Sequence, residues 1–202
     1  GPLVEPLIQA LKDKDPTVRK YVIRVLGNWG DSRAVKPAVE LLNDEDMEVR
    51  IMAIGALGRL RDPGAVKPLV DALKDNEWRV RLEAVSAIEK LHGAAVDTLG
   101  GLRDTRAADK DFKEKAVRPL IELLNDGQEN RLRLSVAGTL GKLGYKDAVE
   151  PLIRVLNNHD NEGLPVLEAA IESLAELGDP RAVEPLKRAI MKDLRPSVSV
   201  RD

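Results

Sequence analysis

The stretch "AVKPLVDALKD", residues 65–75, has the apolar spacing of a helix but carries a proline, Pro68, near its beginning. A proline is tolerated in the first helical turn, because the N–H group that it lacks has no intrahelical acceptor there. Pro68 therefore marks the start of a helix. Related stretches are "LVEPLIQALKD" at 3–13, "AVKPAVELLND" at 34–44, "AVRPLIELLND" at 116–126, "AVEPLIRVLNN" at 148–158 and "AVEPLKRAI" at 182–190. Six copies of one local feature predict an array of structural repeats.

The prolines of these stretches recur with a period slightly above 30 residues. The successive steps are 31, 31, 51, 32 and 34 residues, between Pro6, Pro37, Pro68, Pro119, Pro151 and Pro185. The long step equals one period with 20 extra residues, which places an insert between the third and fourth repeats. A period of this length is typical of solenoids that are built from stacked helix pairs.

Each repeat has the pattern of two helices joined by a turn. In the second repeat, 34–42 and 47–60 have apolar residues at helical spacing, with "NDED" between them. Asp31, Asp62 and Asp179 precede first helices and suit capping roles. We predict an all-α protein, a right-handed α-solenoid of about five helix pairs plus a terminal helix. The predicted single domain, 1–202, comprises units 3–31, 32–62, 63–92, 116–146 and 147–179, an insert at 93–115 and a terminal helix at 180–193.

An arginine recurs near the start of the second helix in the first four repeats, four residues after an acid. The arginines are Arg19, Arg50, Arg81 and Arg133, and the acids are Asp15, Asp46, Glu77 and Glu129. A guanidinium group presents a planar fork of donors, so it suits turn carbonyls and acids of its own or the adjacent repeat. We interpret this arginine column as a structural ladder between repeats. The alternative, a phosphate-binding column, is disfavoured by the accompanying acids and by the absence of a basic excess.

Glycines recur inside the second helices at fixed offsets from the arginine column. Gly55 and Gly58 match Gly138 and Gly141, five and eight positions after the arginine. Each interior glycine costs a helix roughly 1 kcal/mol relative to alanine. Their recurrence therefore predicts close helix packing or close backbone approach.

The combined pattern, "D-P-x-A-V-x-P-L … L-x-D-x-x-x-x-V-R … A-x-x-A-L-G-x-L-G-D", resembles HEAT repeats, specifically the short repeats of the phycobilisome-lyase type. The resemblance covers nearly the whole chain outside 93–115. It implies an α-solenoid and a scaffold or adaptor role, and bilin lyase or chaperone-like activity is an alternative by analogy. The fifth repeat departs from the pattern, because Leu167 stands where the column arginine belongs.

Composition and motifs argue against several other functions. The net charge of −2 and the pI near 5.9 argue against a dedicated nucleic-acid binder. Nucleic-acid binding stays an alternative because of Lys20, Arg24, Arg59, Lys90 and Lys142. The chain has no cysteine, and its two histidines, His92 and His159, lie in different repeats without a following Glu. We expect no catalytic residue, no metal and no cofactor. We also expect a cytoplasmic protein without a membrane span. The start of the sequence, "GPLVEPL", indicates a processed or excised chain.

Two regions are candidates for binding a protein partner. The insert 93–115 is charged and rich in glycine, so we expect either a passive, mobile excursion or a functional loop with Arg103, Arg106 and Phe112. The other candidate is the ridge of the second helices, at offsets of one, two, five and nine from the arginine column. Its candidate residues are Lys20, Tyr21, Arg24, Ile51, Met52, Arg59, Glu83, Lys90, Lys142, Glu168, Glu172 and Glu176. We predict a non-enzymatic scaffold that binds along this ridge, although its apolar members equally suit packing between repeats.

Overall fold

The computed structural model of the protein describes residues 3–99, 110–125, 129–158 and 163–193. Within these ranges all regular elements are helical, as predicted. The α-helices are α1 (Val4–Ala10), α2 (Pro16–Trp29), α3 (Val35–Glu40), α4 (Met47–Leu60), α5 (Val66–Ala72), α6 (Trp78–Leu99), α7 (Arg118–Asn125), α8 (Asn130–Leu143), α9 (Val149–Asn157), α10 (Leu164–Leu177) and α11 (Val183–Asp193).

The chain divides into two compact units, Gly1–Leu120 and Ile121–Asp202. In the first unit, the second helices α2, α4 and α6 pack side by side, and each also packs against its own first helix. In the second unit, α8 packs beside α10, and α9 packs against α10 and α11. This pairing of helices is that of an α-solenoid, which confirms the predicted fold class.

Aspartate caps set the positions at which first helices begin. Asp31, Asp62 and Asp179 each accept a hydrogen bond from the backbone N–H two residues later, at the start of a short 3₁₀ turn. Each turn leads directly into a first helix, so the predicted capping roles are confirmed. Pro68 is the third residue of α5, where its ring costs no intrahelical hydrogen bond.

The core lies between the first and second helices of each unit. Burying a leucine or isoleucine side chain contributes about 1.5–3 kcal/mol. The largest fully buried side chains are Ile23, Leu26, Ile54, Leu57, Leu69, Ile88, Leu91 and Leu120 in the first unit, and Leu124, Leu132, Leu140 and Leu152 in the second. In the second helices these residues stand mostly four or seven positions after the arginine column. Offsets two and nine therefore lie on the opposite side of those helices, offset five lies next to them, and offset one lies towards an edge.

Glycine contacts between neighbouring second helices are very close. A Cβ atom on Gly27 would lie 2.8 Å from the Cα of Ala56, and one on Gly58 would lie 3.2 Å from the Cα of Ala87. These contacts confirm the close approach predicted for Gly58, and they show that Gly27 has the same role.

In the second unit, Gly141 and Ser173 form the equivalent contact. A Cβ on Gly141 would lie 2.8 Å from the Cα of Ser173, and the Ser173 hydroxyl donates to the Ala137 carbonyl at 2.9 Å. The prediction of close packing is wrong for Gly138, because a Cβ there would meet nothing within 4 Å. A Cβ on Gly55 would meet only the tips of charged side chains rather than backbone.

The region predicted as an insert is partly regular structure. Gly93, the first residue of the predicted insert, does not interrupt the helix, because α6 continues to Leu99. Phe112 is only 7% exposed, and its ring centroid lies 4.9 Å from that of His92. Phe112 is therefore core and not a surface residue of an insert. Arg103 and Arg106 lie outside the described residues.

Candidate functional site: the faces of the second helices

Arg19 shows how the arginine column is used. Its Nε and Nη2 each donate to a carboxylate oxygen of Asp44 at 2.8 Å, and its Nη1 donates to the carbonyls of Asp13 and Lys14 at 2.8 and 3.1 Å. The first pair of bonds crosses to the next repeat, and the second pair closes the turn inside its own repeat. One guanidinium group thus joins two repeats.

Arg50 repeats this arrangement one helix pair later. It donates to both carboxylate oxygens of Asp75 at 2.9 and 3.1 Å and to the Asp44 carbonyl at 2.9 Å. Arg81 donates to the carbonyls of Asp75 and Asn76 at 2.7 and 3.0 Å. In the second unit, the Nε of Arg133 donates to the Leu124 carbonyl at 2.9 Å.

The acids four residues ahead of the arginines have a different role from the one their spacing suggested. Asp15 accepts from the backbone N–H of Thr17 at 2.7 Å, and Asp46 accepts from that of Val49 at 2.9 Å. Asp15 and Asp46 are both helix caps, and the carboxylate partners of Arg19 and Arg50 stand 25 residues after those arginines. Because the donors of Arg19 and Arg50 are committed to these bonds, their geometry does not suit a phosphate column.

The Arg19–Asp44 pair changes the acidity of both groups. Burial raises the pKa of Asp44, but the hydrogen bonds from Arg19 and from the backbone N–H of Asp46 outweigh it, so the pKa is lower than usual. The hydrogen bond to Asp44 raises the pKa of Arg19. Both groups are therefore ionised across the whole physiological pH range.

We call the side of α2, α4 and α6 that faces away from the core the first-unit face. Tyr21 is 56% exposed, and the guanidinium carbon of the exposed Arg24 lies 4.8 Å from the centre of its ring. Lys20, Ile51 and Met52 are half-buried. This face therefore presents aromatic and aliphatic surface beside positive charge.

Charged groups continue this face across α4 and α6. Arg59 and Lys90 are exposed, and Glu83 is half-buried. Arg59 occupies space that two glycines leave open. A Cβ on Gly27 would lie 3.5 Å from its Nε, and one on Gly55 would lie 3.5 Å from its Nη1 and 3.2 Å from Glu83 Oε1.

The corresponding side of α8 and α10, the second-unit face, has the opposite charge. Lys142 is exposed on α8, whereas Glu168, Glu172 and Glu176 are exposed at successive turns of α10. Leu134 is 38% exposed on α8. The structure thus gathers the predicted ridge residues into two faces, one in each unit; a single ridge over all helix pairs stays a prediction.

Comparison with known families decides the classification. The family model for HEAT repeats matches residues 4–89 and 117–199. The chain belongs to the HEAT repeat family. No curated protein matches it.

Several solved structures share the HEAT-like fold of this chain at low sequence identity. An engineered protein is 20% identical with a TM-score of 0.64, and the match covers 94% of this chain and 88% of that one. A designed armadillo repeat protein in complex with the peptide (KR)4 is 21% identical with a TM-score of 0.60, covering 99% and 94%. The CpcE–CpcF phycocyanin lyase complex from Nostoc sp. PCC7120 is 20% identical with a TM-score of only 0.47, covering 95% and 88%.

One exposed aromatic residue of this HEAT array was not among the predicted site residues. Trp29, the last residue of α2, is 50% exposed. It stands ten positions after Arg19, outside the offsets that define the predicted ridge. Offsets from the column alone did not reveal it, because the same offset in α6 holds the buried Leu91.

Metal-binding groups and membrane-spanning helices are both absent from the described part of the HEAT array. Across residues 3–99, 110–125, 129–158 and 163–193, no three His, Asp or Glu side chains are grouped to hold a metal ion. In the same ranges, no helix is both long and apolar enough to cross a membrane. The remaining feature with functional potential is the exposed surface of the second helices.

Proposed function

We propose that this HEAT repeat protein is a non-enzymatic scaffold that binds a protein partner on the first-unit face. The observation that carries the proposal is the exposure of Tyr21 beside half-buried Ile51 and Met52. Aromatic residues and methionine are enriched at protein interfaces, and a few such anchors usually supply most of the binding energy. The neighbouring charges of Arg24 and Arg59 suit a role in orienting the partner.

A peptide-like segment is a suitable form of partner for this face. One structural neighbour, the designed armadillo repeat protein, is in complex with a peptide. Side-by-side second helices build an extended surface from equivalent positions, and such surfaces are what helical solenoids use for binding. The second-unit face, with Glu168, Glu172 and Glu176, would contribute long-range attraction for basic parts of the same partner.

The test begins with affinity capture from the native source, followed by mass spectrometry and titration of the purified partner. We expect Tyr21→Ala with Met52→Ala to weaken binding by about 1–2 kcal/mol, chiefly by faster dissociation. Leu164→Ala is the matched control, because Leu164 is 58% exposed but lies outside both faces. Glu172→Lys with Glu176→Lys should mainly slow association at low salt.

Circular dichroism should show unchanged helix content in all of these variants, because the substituted residues face away from the core. If both double variants bind like the parent while deletion of 100–109, which leaves the core residue Phe112 in place, abolishes binding, the partner uses the predicted insert and the proposal is wrong.

A further inference from the structure

We infer that the partner segment bound by the first-unit face is acidic and extended, with carboxylates spaced to meet the bases of successive second helices. The inference rests on the proposed function and specifies the chemistry of the partner. It starts from the charge of the face. Four bases, Lys20, Arg24, Arg59 and Lys90, stand at its defining offsets, against one acid, Glu83.

This excess of positive charge is local. The whole chain has a net charge of −2, so a face with four bases and one acid is not explained by composition. Among the described residues, no carboxylate lies within salt-bridge distance of any of the four bases. The arginine column is different, because its members donate to acids and carbonyls of the fold. The bases of the face are thus available to an external acid.

Two of these bases are held in position before any partner arrives. The guanidinium group of Arg24 lies over the Tyr21 ring, which leaves its N–H edges free to donate to a carboxylate. Arg59 lies in the gap that Gly27 and Gly55 leave between α2 and α4. Holding a long side chain in place reduces the conformational entropy that binding would otherwise cost.

Lys90 follows the same pattern on the next helix. Its Cδ lies 3.5 Å from the position of a Cβ on Gly58, so its methylene chain rests against α4. Each of α2, α4 and α6 therefore presents at least one base on the face. The half-buried Ile51 and Met52 stand on α4, which packs beside both α2 and α6, and offer contact to an apolar side chain.

The spacing of the helices suggests the form of the ligand. Packed helices lie roughly 8–10 Å apart, and a polyproline II segment repeats every three residues, or about 9 Å. In such a segment, acidic residues three positions apart would each reach a base on the next second helix. A peptide of four Glu-Leu-Pro repeats satisfies this spacing and supplies apolar anchors.

A peptide fits the face better than a nucleic acid. Non-specific recognition of single strands uses several aromatic side chains on which bases stack. Tyr21 is the one aromatic residue at the offsets that define the face. An oligonucleotide therefore belongs in the test as a competitor.

The experiment measures fluorescence anisotropy of the labelled Glu-Leu-Pro peptide with the full chain at 50 and 300 mM salt. The comparison peptides replace Glu by Gln or by Lys, and the competitor is a 12-nucleotide oligothymidylate. We expect the Glu peptide to bind at least tenfold more tightly than either comparison peptide, and more weakly at 300 mM salt. Arg24→Gln with Arg59→Gln should remove this preference. Arg154→Gln with Arg188→Gln, which removes two exposed charges outside both faces, should leave it unchanged.

Equal binding of the Glu and Gln peptides would overturn the inference, as would an equal loss in the Arg154 and Arg188 variant. Tighter binding of oligothymidylate than of the Glu peptide, lost in the Arg24 and Arg59 variant, would assign the face to nucleic acid instead. The proposed function is judged separately. If the captured partner depends on Tyr21 and Met52 while the acidic peptide does not bind, the scaffold function stands and only the acidic chemistry is wrong.

Discussion

Arg19 joins three parts of the chain through one guanidinium group: the turn before α2, α2 itself and the turn that precedes the next second helix. The side chains of Arg19 and Asp44 are 9% and 7% exposed. Removing both charges from water is costly, and two parallel N–H to carboxylate bonds repay that cost. The pair therefore holds the register of the first two repeats.

We expect Arg19→Ala to lower the free energy of unfolding by about 3–5 kcal/mol, because it leaves the Asp44 carboxylate buried without its partner. Arg79→Ala is the control, because Arg79 is 49% exposed and pairs with Glu48 at the surface. Its loss should cost less than about 1 kcal/mol. Urea unfolding of both variants measures the difference. Equal destabilisation would mean that burial does not set the value of the Arg19 pair.

Neighbouring second helices pack closely where a glycine of one helix meets a small residue of the next. The glycine stands eight positions after the arginine column, and the small residue stands six positions after it. Gly27, Gly58 and Gly141 all stand eight positions after the column, and they meet Ala56, Ala87 and Ser173 of the following second helix. The backbones come close enough to exclude even a methyl group. A glycine at this offset therefore supports packing, whereas one at offset five does not.

Two substitutions in α8 separate these roles. Gly141→Ala should destabilise by about 1–3 kcal/mol, because the new Cβ would overlap the backbone of Ser173. Gly138→Ala meets nothing within 4 Å and should stabilise by about 0.5–1 kcal/mol through helix propensity. Thermal unfolding of the two variants should shift in opposite directions. Shifts of the same sign would show that propensity alone decides the effect.

The sequence predicted those elements whose signals are local. Prolines in first turns, aspartate caps and apolar spacing identified the helix pairs, because each of these features acts within one or two turns. The partner of Arg19 was not predicted, since Asp44 lies 25 residues away and its role depends on stacking. The helix continues past Gly93, where the predicted insert begins, because one interior glycine costs only roughly 1 kcal/mol in a helix as long as α6.

The sequence predicted which side of the second helices the candidate residues occupy, but not how exposed each side chain is. Offsets from the arginine column placed Tyr21, Arg24 and Arg59 on one side of the second helices, because helical geometry fixes direction. Exposure depends on neighbouring helices, which the sequence does not show directly. Tyr21 on α2 is exposed, whereas Met52, at the same offset on α4, is half-buried.

At the scale of the whole molecule, the two units carry faces of opposite charge within a nearly neutral chain. The first-unit face has bases on each of its three helices, and α10 of the second unit has three exposed glutamates on successive turns. Like charges at this spacing destabilise a helix by about 0.2–0.5 kcal/mol per pair. The three glutamates therefore do not stabilise α10. Their exposure on one side of the helix suits a role in attracting a partner.

Acid should destabilise both units through their capping aspartates. Hydrogen bonds from the side chain and backbone of Arg33 lower the pKa of Asp31 to about 2, and Arg181 does the same for Asp179. A carboxylate with a lowered pKa stabilises the fold fully above its ordinary pKa near 3.8, and that contribution disappears as the pH falls through 2. The free energy of unfolding should therefore fall between pH 4 and pH 2.

A double variant, Asp31→Asn with Asp179→Asn, tests whether protonation of these two aspartates causes the loss of stability in acid. Asparagine is also a good helix cap but cannot ionise, so the variant should be less stable than the parent near neutral pH. The gap should close as the pH approaches 2, because the parent loses its charge there while the variant does not change. Asp71→Asn, which removes an exposed acid paired with Lys67, is the control. Denaturant unfolding at several pH values measures the gap, and a gap that stays constant down to pH 2 would show that capping geometry, rather than charge, stabilises these turns.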